Sequence, residues 1–131
     1  MSSSARARRP PRPFAALTAL GCALALLAAD PGAAREPSSL QVVESEWSLA
    51  LSRPRVHAGT VYAEAVNAGQ DAHDLALRRD APGAKTVRFR SLARSAHADR
   101  VLRLAPGRYT LWCTLPGHRA RGMVATLVVT P

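Results

Sequence analysis

The sequence predicts an all-β domain, and three observations carry that expectation. Past residue 35 the chain is a succession of short apolar runs, each closed by a Pro- or Gly-bearing turn signal. Its clearest periodicity is the two-residue alternation of a half-buried strand rather than the longer period of a helix. No internal repeat or low-complexity tract interrupts the succession.

Taken in order, residues 35–39 form a polar, flexible leader, and strands follow over 40–46 and 47–51. Arg53-Pro54 then breaks the chain, because Pro cannot donate to a ladder and fixes its own φ. A short strand at 55–56 ends at Ala58-Gly59, a longer one over 60–67 ends at Ala68-Gly69, and the next spans 73–77. Ala81-Pro82-Gly83 marks a tight turn before a strand at 86–89. Residues 91–98 are the one stretch where a helical period fits. Strands over 100–104, 108–113 and 123–129 complete the set, with Pro106-Gly107 between the first two. Alternation is cleanest at the second of these, where Tyr109, Leu111 and Cys113 should face inward and Thr110 and Trp112 outward.

Residues 1–34 read as a secretory signal: Arg6, Arg8, Arg9 and Arg12 form a basic start, residues 14–29 are almost wholly apolar, and Gly32-Ala33-Ala34 offers small residues for cleavage. The apolar run is short and is followed by Asp30-Pro31-Gly32, which argues against a membrane span in the mature chain. Arg8-Arg9 lacks the context of twin-arginine export, since Pro10-Pro11 follows. Gly21-Cys22 lacks the larger aliphatic before it and the polar stretch after it that a lipid-anchoring site shows. The expectation is therefore soluble export to the periplasm or beyond. Cleavage after Ala34 leaves one domain over 40–131 behind its leader, with no room for a second.

That exported chain keeps one cysteine and one methionine, and both bound a single stretch, Cys113-Thr114-Leu115-Pro116-Gly117-His118-Arg119-Ala120-Arg121-Gly122-Met123. A lone cysteine ending an apolar strand is usually a buried small hydrophobe. Filler has no reason to place the only mature Cys and Met on either side of a Pro-Gly-His turn. A thiolate, an imidazole and a thioether spaced C-x4-H-x4-M are three of the four donors of a mononuclear copper electron-transfer site, and His73 is placed to supply the fourth. Such a set suits both oxidation states, since Cu(II) favours nitrogen and Cu(I) soft sulfur. Pro116 and Gly117 give the loop a fixed angle and a turn that a side chain would obstruct. With a single mature cysteine no internal disulfide can form, and a dinuclear thiolate-bridged copper site is excluded.

Three motifs now coincide: N-x-G-x3-H from Asn67 to His73, P-G-x-Y-x-L-x-C from Pro106 to Cys113, and P-G-H-x4-M from Pro116 to Met123. In these the chain resembles the small blue-copper proteins, the cupredoxins, over nearly all of its exported length. The four-and-four spacing is more similar to auracyanin or rusticyanin than to plastocyanin, whose first gap is shorter. The resemblance implies a Greek-key β-sandwich or barrel with one copper ion under the loops at one end, held by His73, Cys113, His118 and Met123. It also implies that Asp74, where the family commonly has asparagine, bonds across to the segment carrying Cys113 with Thr114 as partner, and that the edge of His118 is the electron exit.

Charge bears on partners. The whole chain carries +9, from 18 basic and 9 acidic residues. Setting aside the four signal arginines and Asp30 leaves +6, which favours redox partners with acidic docking surfaces. Arg119 and Arg121, flanking His118, would stand at such a surface. Nucleic acid is excluded as a partner because no exposed aromatics interleave with the arginines and the domain is exported. A monomeric electron shuttle is the leading reading, and a copper storage or delivery protein that does not cycle is its rival. Delivery proteins offer several exposed soft donors, which this chain lacks. An enzyme of this superfamily needs a further copper with extra histidines; His57 and His97 are too few and should lie at the surface.

Overall fold

The computed structural model describes residues 36–131, so the secretory signal expected over 1–34 and Cys22 within it lie outside the described residues. The elements run β1 Ser38–Ser45, β2 Ser48–Leu51, β3 Arg55–His57, β4 Gly59–Asn67, β5 Ala76–Arg79, β6 Thr86–Arg88, β7 His97–Leu104, β8 Gly107–Trp112 and β9 Val124–Thr130. They form two sheets, one ordered β2-β1-β4-β7 and the other β3-β9-β8-β5-β6. Side chains of alternate residues from both sheets fill the space between, with Leu40, Val42, Val61, Leu75, Leu77, Leu92, Leu111 and Leu127 at its centre. The architecture is a β-sandwich, as expected.

The turn signals fall where the strands end. Pro54 separates β2 from β3, Gly83 turns β5 into β6 with φ +68°, and Gly107 opens β8 with φ +143°. In β8 the inward and outward assignments hold: Tyr109 and Leu111 are buried and Thr110 and Trp112 half-buried, with Cys113 buried just past the strand. The Tyr109 hydroxyl donates to the Ala105 carbonyl and accepts from the Ala105 amide, both at 3.1 Å, pinning the β7–β8 corner.

Three expectations shift. Ser38 and Ser39 already pair with Val61 and Tyr62, so β1 begins before Leu40 and takes in part of the supposed leader. Residues 91–98 are not helical. Leu92 bridges His73, the backbone turns through Ser95 at φ +62°, and His97 starts β7, because pairing with β4 runs as far as Val66 and His97. The strand expected over 73–77 is delayed to Ala76, leaving His73 in a loop with a single bridge partner.

One pairing decides the geometry of the site. β1 runs parallel to β4, in register from Ser38 with Val61 to Glu44 with Asn67. Both strands therefore finish at the same end of the sandwich, and the turn after β1 emerges beside the loop after β4. The connection from β8 to β9, residues 113–123, opens at that end too, because Thr114 and His118 hydrogen-bond to the loop after β4 and His118 meets the Trp47 ring in the turn after β1.

Candidate metal centre

The β8–β9 connection is the eleven-residue stretch singled out by its donors. Trp112 and Val124 are paired across the ladder, so the chain leaves and re-enters the sheet at one point. The Cys113 amide donates to the Met123 carbonyl and the Met123 amide to the His118 carbonyl, each at 3.1 Å, which closes the loop on itself. Gly117 turns it at φ +79°, a conformation that costs other residues steric strain. Residues 119–121 then form one 3-10 turn.

His73 arrives from the loop after β4. Asn67 holds this loop: its side-chain amide donates to the carbonyls of Asp71 and Leu92, and its oxygen accepts from the Gly69 amide. The N-x-G-x3-H spacing thereby acquires a physical reason. Asp74, next to His73, takes hydrogen bonds from both the amide and the hydroxyl of Thr114, joining the two ligand loops as the resemblance implied.

Together these loops bring His73 Nδ1, His118 Nδ1 and Cys113 Sγ within 4.8 Å of one another, a group that could hold a metal ion. The two Nδ1 atoms are 3.2 Å apart and Cys113 Sγ is 3.5 Å from His118 Nδ1. Two nitrogens each about 2 Å from a shared ion stand roughly 3.2 Å apart, so the triangle has the dimensions of a coordination site. His73, Cys113 and Met123 are fully buried, while His118 is half-buried. Burial pushes the Cys113 thiol upward, against the backbone amides of Asp74 and Leu115, which bond toward its sulfur and pull it down. A soft thiolate there calls for a cation beside it. His57 and His97 are exposed, as expected, and His97 belongs to β7 rather than to the site.

The sequence matches no protein-family model and no curated protein. Solved structures do resemble it. The reduced auracyanin of Roseiflexus castenholzii superposes with a TM-score of 0.61 at 17% identity, covering 72% of this chain and 98% of its own. Auracyanin A of Chloroflexus aurantiacus, described as a "blue" copper protein, gives 0.58 at 16% identity over 72% of this chain and its own full length. An amicyanin variant gives 0.51 at 16%, over 71% and 83%. The chain has the cupredoxin fold. Its candidate centre lies at the end of that cupredoxin sandwich where the β8–β9 loop meets the loop after β4.

Several residues at this end carry no sequence signal. Glu46 and Trp47, in the turn between β1 and β2, reach the centre through the parallel pairing of β1 with β4. The Trp47 ring meets His118 edge-on, with centroids 4.9 Å apart. Glu46 Oε1 accepts from His73 Nε2 at 3.1 Å and from the amides of Gln70 and Asp71 at 2.7 and 2.8 Å. The Asp71 amide, with help from the backbone amides of Glu46 itself and Gln70 and from the His73 ring, holds the Glu46 carboxyl at about 2, below its usual 4.5. Arg119 lies over the Trp112 ring at 4.9 Å and Arg121 over Trp47 at 4.3 Å. Each exposed arginine thus lies over an indole, and the one under Arg121 is the Trp47 ring that meets His118.

Proposed function

We propose that this chain is an exported type 1 copper protein that shuttles single electrons between redox proteins. The observation that carries the reading is the convergence of His73 Nδ1, Cys113 Sγ and His118 Nδ1 within 4.8 Å at the loop end of a cupredoxin sandwich, with Met123 fully buried in the same loop. A bound copper ion would supply a Cu(I)/Cu(II) one-electron couple. The protein's part would be to hold the donors still: His73 and Cys113 from buried positions, His118 from a half-buried one, and Met123 as a weak thioether donor. Hydrogen bonds from Thr114 to Asp74 keep the two loops from separating, so little has to move on electron transfer.

His118 is the electron's way out, because among the four proposed ligands it alone is not fully buried. The Trp47 indole against its ring, with Arg121 over that indole and Arg119 in the same loop over Trp112, gives this end a positive character suited to an acidic redox partner met as a monomer. Storage or delivery is the weaker reading, since both sulfur donors are inaccessible for handover. We assign no bond-making reaction. Export rests on the secretory pattern of residues 1–34, and among the described residues no helix is long and apolar enough to cross a membrane.

The test is a titration of the purified protein with Cu(II). An intense visible band from thiolate-to-copper charge transfer, bleached on reduction and absent in Cys113→Ser, is the expected result. A colourless wild-type protein saturated with Cu(II) would overturn the reading.

A further inference from the structure

His73 has two ring nitrogens, and the structure gives each a different neighbour. Nδ1 faces His118 and Cys113, while Nε2 meets Glu46 Oε1 at 3.1 Å. A carboxylate can only accept, so Nε2 carries the proton and Nδ1 keeps its lone pair. The carboxylate is not there by chance of rotamer. Oε1 is fixed by the amides of Gln70 and Asp71, and space for it exists only because residue 69 is glycine: a Cβ there would lie 2.5 Å from Oε1, 2.8 Å from Oε2 and 2.8 Å from His73 Nε2. The His73 ring itself is wholly buried, so no bulk water competes for its outer nitrogen.

We infer that Glu46 is a positioning residue for His73: its carboxylate accepts the Nε2 proton, locks the ring with Nδ1 aimed at the metal, and makes the imidazole a stronger donor that favours Cu(II) over Cu(I). The inference rests on the copper reading above and deepens it. A hydrogen-bonded carboxylate raises the basicity of a ligating imidazole, and its negative charge also stabilises the more highly charged ion, so both effects act in one direction. Glu46 belongs to neither ligand loop.

Two variants reach the interaction by different routes. Glu46→Gln removes the charge while keeping the shape and an oxygen for the Gln70 and Asp71 amides. Gly69→Ala leaves the carboxylate intact but displaces it from His73. The measurements are Cu(II) and Cu(I) affinities by competition, and the reduction potential by voltammetry. In both variants Cu(II) affinity should fall about 10–100-fold with a smaller loss for Cu(I). Each tenfold change in the ratio of the two affinities appears as a rise of about 59 mV in a one-electron potential. Equal losses for both ions, or unchanged affinities, would overturn the inference, because a merely structural role leaves the potential where it was. If Gly69→Ala does not fold, Glu46→Gln decides alone. A wild-type protein that stays colourless with Cu(II) overturns the copper reading and this inference with it; a coloured wild type with an unmoved potential in Glu46→Gln overturns this inference only.

Discussion

Leu40, Val42 and Glu44 occupy alternate positions of β1 and all face the core, so the strand's period carries a carboxyl group into the apolar interior. Glu44 is fully buried, and neither of its carboxylate oxygens has a hydrogen-bond partner among the described residues. Burial, and after it the negative charge of Asp74, push its carboxyl up from 4.5 to about 7. The folded chain therefore binds a proton at this site between those values while the unfolded chain does not, so stability falls as pH rises through that window. At about 1.36 kcal/mol per unit, a gap from 4.5 to about 7 amounts to roughly 3 kcal/mol: no cost below pH 4.5, the full cost above pH 7. Glu44→Gln keeps the shape and cannot ionise. Unfolding of the metal-free proteins in guanidinium, followed by the fluorescence of Trp47 and Trp112, should give a stability difference between variant and wild type that shifts by about 3 kcal/mol in the variant's favour from pH 4.5 to pH 8. The histidines are common to both proteins and cancel in the difference. A difference that does not vary with pH would refute the reasoning, since it would mean that the Glu44 carboxylate is solvated or paired.

Two further outcomes concern the centre and its rim. Met123→Leu should retain copper and colour while raising the reduction potential, because loss of a weak soft donor and a drier site disfavour Cu(II); complete loss of copper on equilibrium dialysis would give Met123 a different role. Arg119→Glu with Arg121→Glu removes two cation–π contacts, each worth about 0.5–1 kcal/mol at exposed sites, and reverses the charge of the rim around His118. Stopped-flow electron transfer to an acidic partner should be slower in this variant, and the wild-type rate should fall with salt as the screening length shortens to about 10 Å at 0.1 M, whereas a salt-independent wild-type rate would mean that the arginines serve only to pack the indoles.

What the sequence determined by itself was whatever local spacing encodes. Strand positions followed from two-residue alternation and Pro-Gly breaks, and the donors of residues 113–123 followed from a connection short enough to fold over one point at the end of β8 and β9. The Asp74 to Thr114 tie was foreshadowed only by the resemblance to the cupredoxins, and the structure forms it. Long-range pairing decided the rest. The parallel register of β1 against β4 brings Glu46 to His73, 27 residues away, and Trp47 to His118, 71 residues away. The antiparallel pairing of β4 with β7 draws His97 and Ala98 into a strand where a helical period also fitted. Arg119 and Arg121 read from the sequence as charges flanking His118, and only the fold puts an indole under each. Strand register is a property of two segments at once, and no window along a single segment contains it.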